Sequence, residues 1–142
     1  MKNNFRSDCP IASTLDIIGD KWSLLILRDM LIHHKMTFKE FSLSDELIAP
    51  SILSARLKLL ISHKLITKQK KIKNKKENIY LLTDKAIELS SILIDISIWG
   101  NKHLREFNRI DNIQELDLER SLIISSVKKN YYSIIQNVKI IK

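Results

Sequence analysis

Between residues 50 and 82 the apolar residues change period, and that change leaves few folds open to the chain. From Pro50 onward, Leu53, Leu57, Leu60 and Ile61 recur every three or four residues, the spacing of one helix face. Pro50 suits a first helical position, where its missing amide would have no intrahelical partner, so a helix over residues 50–62 is predicted although Ala49 is a poor cap. The opposite stripe, Ser51, Ser54, Ala55, Lys58 and Ser62, is small and polar. Residues 65–72 then set β-branched Ile66, Thr67 and Ile72 among lysines, and residues 79–82 offer a second short strand. Asn74 and Asn78 tolerate turn conformations, so residues 73–78 join the strands as a hairpin with most lysines on its exposed surface.

The remainder reads as helix. Only two glycines and two prolines punctuate the whole chain. Pro10 opens a helix to Ile18, ended by Gly19 through its freedom at positive φ. Asp20 caps a second helix over residues 21–34, whose apolar face is Trp22, Leu25, Ile26, Met30 and His33. Thr37 caps a short helix carrying Phe38 and Phe41, and residues 42–46 read as a turn. Thr83 caps a long helix bearing Ile87, Leu89, Leu93, Ile94, Ile96, Ile98 and Trp99 and reaching Lys102 and Arg105. One small domain cannot cover so wide an apolar surface, so part of it is expected to pack on another subunit. A last helix over residues 114–129 carries Leu118, Leu122 and Ile123, and residues 131–140 are apolar enough to dock.

This order makes the fold class mainly α with a small β-hairpin: a winged helix-turn-helix over residues 1–109, then a helical extension over 110–142. A helix entering a major groove needs small, hydrogen-bonding side chains at one-turn spacing, which Ser51, Ser54, Ala55 and Lys58 supply. The charge agrees. Seven of the 24 lysines and arginines, Lys64, Lys68, Lys70, Lys71, Lys73, Lys75 and Lys76, fall within residues 64–76 with no acid among them, so the remaining 17 barely exceed the 16 acids. Such a focal patch suits a polyanion met by one surface element, and lysines on a wing add affinity with little sequence information. Since phosphate-seeking lysines do not distinguish duplex DNA from RNA, an RNA-binding winged helix or a protein-interaction module is the alternative.

Other classes find less support. No P-loop, dinucleotide-binding glycine pattern, nucleophile elbow or HExxH motif is present, so the chain does not read as an enzyme. His33, His34, His63 and His103 share no ligand spacing with carboxylates, and neither a metal nor a cofactor is expected. The apolar runs stop at Arg28 or break at Asp95, short of the roughly 18 residues of a membrane span, and no apolar stretch follows the polar opening residues; a cytoplasmic protein is expected. Trp22 and Trp99 could line a ligand pocket, although aromatics on apolar helix faces more often belong to the core. Cys9, the single cysteine, can form no internal disulfide. It precedes Pro10 at a helix start, where the helix dipole favours an anion; a lone cysteine is otherwise a small buried hydrophobe.

Several blocks in order carry a resemblance: Cys9-Pro10, Leu15-Asp16-Ile17-Ile18-Gly19-Asp20-Lys21-Trp22, Leu25-Ile26-Leu27-Arg28-Asp29 and Phe38-Lys39-Glu40-Phe41. Ile48-Ala49-Pro50-Ser51-Ile52-Leu53-Ser54-Ala55-Arg56-Leu57 and Tyr80-Leu81-Leu82-Thr83, with Trp99 beyond, complete it. The chain resembles the HxlR-type branch of winged helix-turn-helix bacterial regulators, related to the MarR group, over about residues 9–103. The resemblance implies a homodimeric transcriptional regulator on a double-stranded DNA operator, with recognition helix 50–62, wing 64–82 and contacts from Ser51, Ser54, Ala55, Arg56, Lys58, Lys68, Lys70, Lys71, Lys73, Lys75 and Lys76. It implies a dimer seam through the first and long helices at Ile11, Leu15, Ile92, Ile96 and Trp99. It also implies a possible effector, a small molecule or an oxidant, since some relatives sense oxidants or electrophiles through a cysteine placed as Cys9 is. Two departures stand out. Relatives commonly have glycine where this chain has Lys64 and Ala86, and their prolines and arginine at the wing tip are replaced by Lys73-Asn74-Lys75-Lys76-Glu77.

Overall fold

The computed structural model of the chain describes residues 4–104 and 113–140. Its elements run α1 (Pro10–Ile18), α2 (Ser23–Leu31), α3 (Phe38–Ser42), α4 (Pro50–Ser62), β1 (Ile66–Lys70), β2 (Asn78–Leu82), α5 (Asp84–Ile87), α6 (Ser90–Leu104) and α7 (Ile113–Gln136). The mainly helical class with one small hairpin is what the change of period predicts. The expected break between residues 109 and 110 lies outside the described residues, as does Arg105. Among the described residues no helix is long and apolar enough to cross a membrane.

The core forms where α2, α4 and the hairpin meet. Met30, Leu53 and Leu60 are fully buried, joined by Leu27, Phe41, Leu57, Ile66 and Ile87. Phe41 meets Tyr80 with ring centroids 6.1 Å apart, tying α3 to β2. The antiparallel register sets Ile66 opposite Leu82 and Lys68 opposite Tyr80; Ile66, Ile79, Tyr80 and Leu82 are buried, while Thr67, Lys68 and Lys70 of β1 are exposed.

Four local features depart from the sequence reading. Helix α2 is shorter than residues 21–34, because the Asp20 carboxylate accepts the amides of Trp22 and Ser23 at 2.9 Å and fixes the start there. It ends before His33, which is exposed rather than part of the apolar face, and His34 takes the left-handed φ of 56° that turns the chain out. Gly19 does not use positive φ; its φ is −76°, and glycine is required by space, since a Cβ there would lie 2.3 Å from the Leu15 carbonyl oxygen. The single long helix after Thr83 is two. The Leu89 amide closes a tight turn on Ala86 at 2.9 Å and the Ser91 hydroxyl donates back to the Glu88 carbonyl, so the backbone bends while the apolar period continues across the break.

The departure at Lys64 has a structural meaning. Helix α4 ends in a Schellman motif: the Leu65 amide donates to the Leu60 carbonyl at 2.9 Å, the Lys64 amide to Ile61 at 2.9 Å, and Lys64 sits at φ 58°. That left-handed position is where glycine costs least. Lys64→Gly is therefore expected to raise stability by up to about 1 kcal/mol, read as a higher thermal midpoint; a lower midpoint would mean that the lysine side chain compensates for the backbone strain.

Candidate nucleic-acid interface

Helix α4 spans residues 50–62 as expected. Ala49 offers no side-chain cap, and the Leu53 amide donates to its carbonyl at 2.9 Å. With Leu53, Leu57 and Leu60 locked in the core, Ser51, Ala55 and Lys58 are exposed and Ser54 is half-buried, one accessible stripe without large side chains. Arg56 is placed differently. Its guanidinium lies 3.5 Å from the Asp20 carboxylate, and its Nε is buried, so it braces α4 against the start of α2 rather than joining the open stripe. Asp20 lies below the ordinary carboxylate range: burial alone would raise it, but the Ser23 hydroxyl, the Trp22 and Ser23 amides and Arg56 outweigh that.

The turn ahead of α4 is held from beneath by a buried charge. Asp29 is 2% exposed and accepts Arg28 Nη2 at 2.7 Å, Lys35 Nζ at 3.3 Å and the hydroxyl of buried Ser44; Arg28 reaches on to Glu46. Burial by itself would raise the Asp29 carboxyl, yet the Ser44 hydroxyl, Arg28 and Lys35 hold it below its usual range. Residues 44–46, which the sequence reads only as a turn, are thus pinned to α2, and with them the entry angle of the helix that follows.

Beside α4 the hairpin projects its cations. Lys68, Lys70, Lys73, Lys75 and Lys76 are exposed. Lys71 is half-buried, with its Nζ 3.5 Å from Glu77 of the tip, so it is not a free charge as the sequence implies. Behind the hairpin, α7 does more than dock. Tyr131 is 1% exposed, and its hydroxyl accepts the Leu82 amide at 2.7 Å where β2 leaves the sheet; burial pushes that phenol up to about 12. Helix α7 runs to Gln136 rather than ending near residue 129. Beyond it, Ile140 forms an antiparallel bridge with Lys71, and the Ile72 amide donates to the Lys139 carbonyl at 3.2 Å. Lys139 therefore stands beside the wing, a neighbour that sequence reasoning missed.

The residues expected at a subunit seam lie on the surface: Ile11 is 72% exposed, Leu15 54%, Ile92 38%, Ile96 50% and Trp99 57%. Trp99 meets His103 with ring centroids 5.2 Å apart and the ring planes tilted by 42°. Trp22 packs on the core, and the cavity beside it, about 10 Å³, leaves room for no more than a water and does not include Trp99 in its lining. Cys9 is exposed at the N-cap of α1, not buried, with its amide donating to the Ser7 hydroxyl at 3.3 Å.

Comparison with known proteins extends this geometry. A family model described as HxlR-like helix-turn-helix matches residues 17–108. The HTH-type transcriptional regulator YdeP of Bacillus subtilis, itself uncharacterised, is 33% identical over 110 residues, 75% of this chain and 80% of its own length. Among solved structures, the redox regulator HypR in its oxidised form superposes with a TM-score of 0.60 at 27% identity, over 70% of this chain and 100% of that one. The reduced transcriptional regulator YodB of Bacillus subtilis gives a TM-score of 0.57 at 26% identity, over 68% and 95%. The helix-turn-helix and wing built from residues 38–82 lie inside the matched region, and the chain belongs to the HxlR-like helix-turn-helix family of transcriptional regulators.

Proposed function

We propose that this regulator acts as a homodimeric repressor that reads a pseudo-palindromic DNA operator with α4 and grips the backbone with its wing. The observation that carries the reading is the pairing of an open, small-residue stripe, Ser51, Ser54, Ala55 and Lys58, with exposed lysines on the adjoining hairpin. Small side chains let backbone and base edges approach, while lysines neutralise phosphates and release counterions, so the helix selects and the wing anchors. The exposed apolar side chains of α1 and α6 supply a seam for a second copy, and two recognition helices related by a two-fold axis meet half-sites about one helical turn apart. A competition assay at physiological salt tests this. The chain's own upstream duplex should resist displacement by random duplex or structured RNA; equal displacement by either would sink operator recognition and favour the RNA-binding or interaction-module reading.

A thiol response through Cys9 is the second part of the proposal. It is supported by the exposure of the cysteine and by the redox regulators among the structural neighbours. With one cysteine per chain, two Cys9 thiols from two subunits would join; they lose two electrons and two protons to an oxidant such as diamide, which is reduced to its hydrazine. Diamide is expected to release wild-type protein from DNA and to leave Cys9→Ser bound. Equal release of both proteins would remove the thiol from the mechanism.

A further inference from the structure

The segment after α7 comes back to the wing rather than leaving the domain. Two observations place it there, the Lys71–Ile140 bridge and the Ile72 amide donating to the Lys139 carbonyl, and α7 itself is held to the hairpin by the buried Tyr131 hydroxyl accepting the Leu82 amide. Between this segment and the hairpin lies an open cleft of about 400 Å³ lined by Met36, Lys71, Lys73, Asn137, Val138 and Lys139. Three of the six are cations and none is an acid. Lys71 is paired with Glu77, and the exposed Lys73 and Lys139 form no ion pair among the described residues, with Met36 and Val138 as apolar wall and Asn137 as a further polar group. Two lysines brought to one cleft from distant parts of the sequence suit a single compact anion, and the cleft borders a surface already read as meeting a polyanion.

We propose that residues 137–140 are part of the DNA-contacting surface and that the cleft holds a backbone phosphate between Lys73 and Lys139. The proposal rests on the DNA-binding reading. It adds a contact from outside the region matched by the family model, which ends at residue 108. Because phosphates carry no base identity, Lys139 contributes affinity and register but not sequence preference.

The experiment measures DNA affinity by fluorescence anisotropy from about 50 to about 200 mM KCl, on the upstream duplex and on a random duplex, for wild type, Lys139→Gln, Lys139→Arg and Lys75→Gln. Losing one phosphate contact should flatten the log–log salt dependence of Lys139→Gln by about 0.9 on both duplexes, while Lys139→Arg keeps the wild-type slope. Lys75→Gln serves as the wing control. If it flattens the slope and Lys139→Gln does not, the cleft is not a DNA contact and the wing assignment stands. If wild type itself shows no salt-dependent binding to either duplex, the DNA reading falls and this proposal with it. If Lys139→Arg loses as much as Lys139→Gln, charge is not what the cleft supplies, and the proposal is overturned. A last arm adds inorganic phosphate at constant ionic strength: displacement of DNA from wild type but not from Lys139→Gln is expected if the DNA backbone occupies the cleft, whereas phosphate that binds wild type through Lys139 and leaves DNA affinity unchanged would assign the cleft to free phosphate and overturn the proposal.

Discussion

Replacing Lys70, Lys71, Lys73 and Lys75 together with glutamine is expected to flatten the salt dependence of DNA binding by about 3 on a log–log scale, not by about 4. Each neutralised phosphate contributes about 0.9, and three of the four lysines are exposed and form no ion pair among the described residues, whereas Lys71 is held by Glu77. Over the range from about 0.15 M to 1 M salt such a change corresponds to about 100-fold in affinity, so that is the loss expected near physiological salt. It should be the same on operator and random DNA. A flattening near 4 would show that Lys71 leaves Glu77 for phosphate when DNA binds. Unchanged salt dependence would remove the wing from the interface, and a changed sequence preference would reverse the division of roles between wing and α4.

The largest stability effect is expected at Asp29. Asp29→Ala should cost about 3 kcal/mol, the low end for removing one partner of a buried ion pair, because the Arg28 and Lys35 left behind are partly exposed and Arg28 keeps Glu46. The same carboxylate sets a pH dependence. Its folded value lies below the ordinary one, so its contribution is fully present above the unfolded-state pKa of about 3.9 and is lost as pH falls from there through the folded value. Wild type should lose stability on acidification in that range more steeply than Asp29→Asn, measured as denaturant midpoint against pH. Parallel curves would show that Asp29 is not the titrating group. A milder consequence is also expected: with residues 44–46 unpinned, operator affinity at neutral pH should fall even where the variant remains folded.

The clearest parts of the sequence were those set by short-range chemistry. Pro50 and the leucines at three and four residues define α4 to its ends, and Thr37 caps α3 through the Glu40 amide at 3.2 Å as its side chain suggests. The hairpin itself follows from the β-branched Ile66 and Thr67 and the turn-tolerant Asn74. What could not be read depends on contacts between distant residues. Helical period continues across Glu88 and Leu89, so nothing local reports the bend between α5 and α6. Arg56 belongs to the recognition helix by position, but its orientation is decided by Asp20, 36 residues earlier. Lys139 carries no motif at all, and only the path of α7 brings it to Lys73. The wide apolar face of the long helix was legible from composition, and Ile92, Ile96 and Trp99 are exposed; Ile11 and Leu15, expected only from the family resemblance, are exposed as well.

Tyr131 bears on how the protein can be divided. The region shared with the family stops at residue 108, which makes a shortened chain ending there an obvious choice for crystallography or domain swaps. Such a fragment would leave the Leu82 amide without its acceptor and open the apolar site that Tyr131 fills, both at the point where the hairpin joins α5. An unmet buried donor costs about 1 to 3 kcal/mol and the lost aromatic burial a similar amount, a large share of what holds a domain of this size together. The smallest piece able to fold as a unit is thus longer than the piece by which the family is recognised, and a chimera that borrows this wing must borrow its last helix as well.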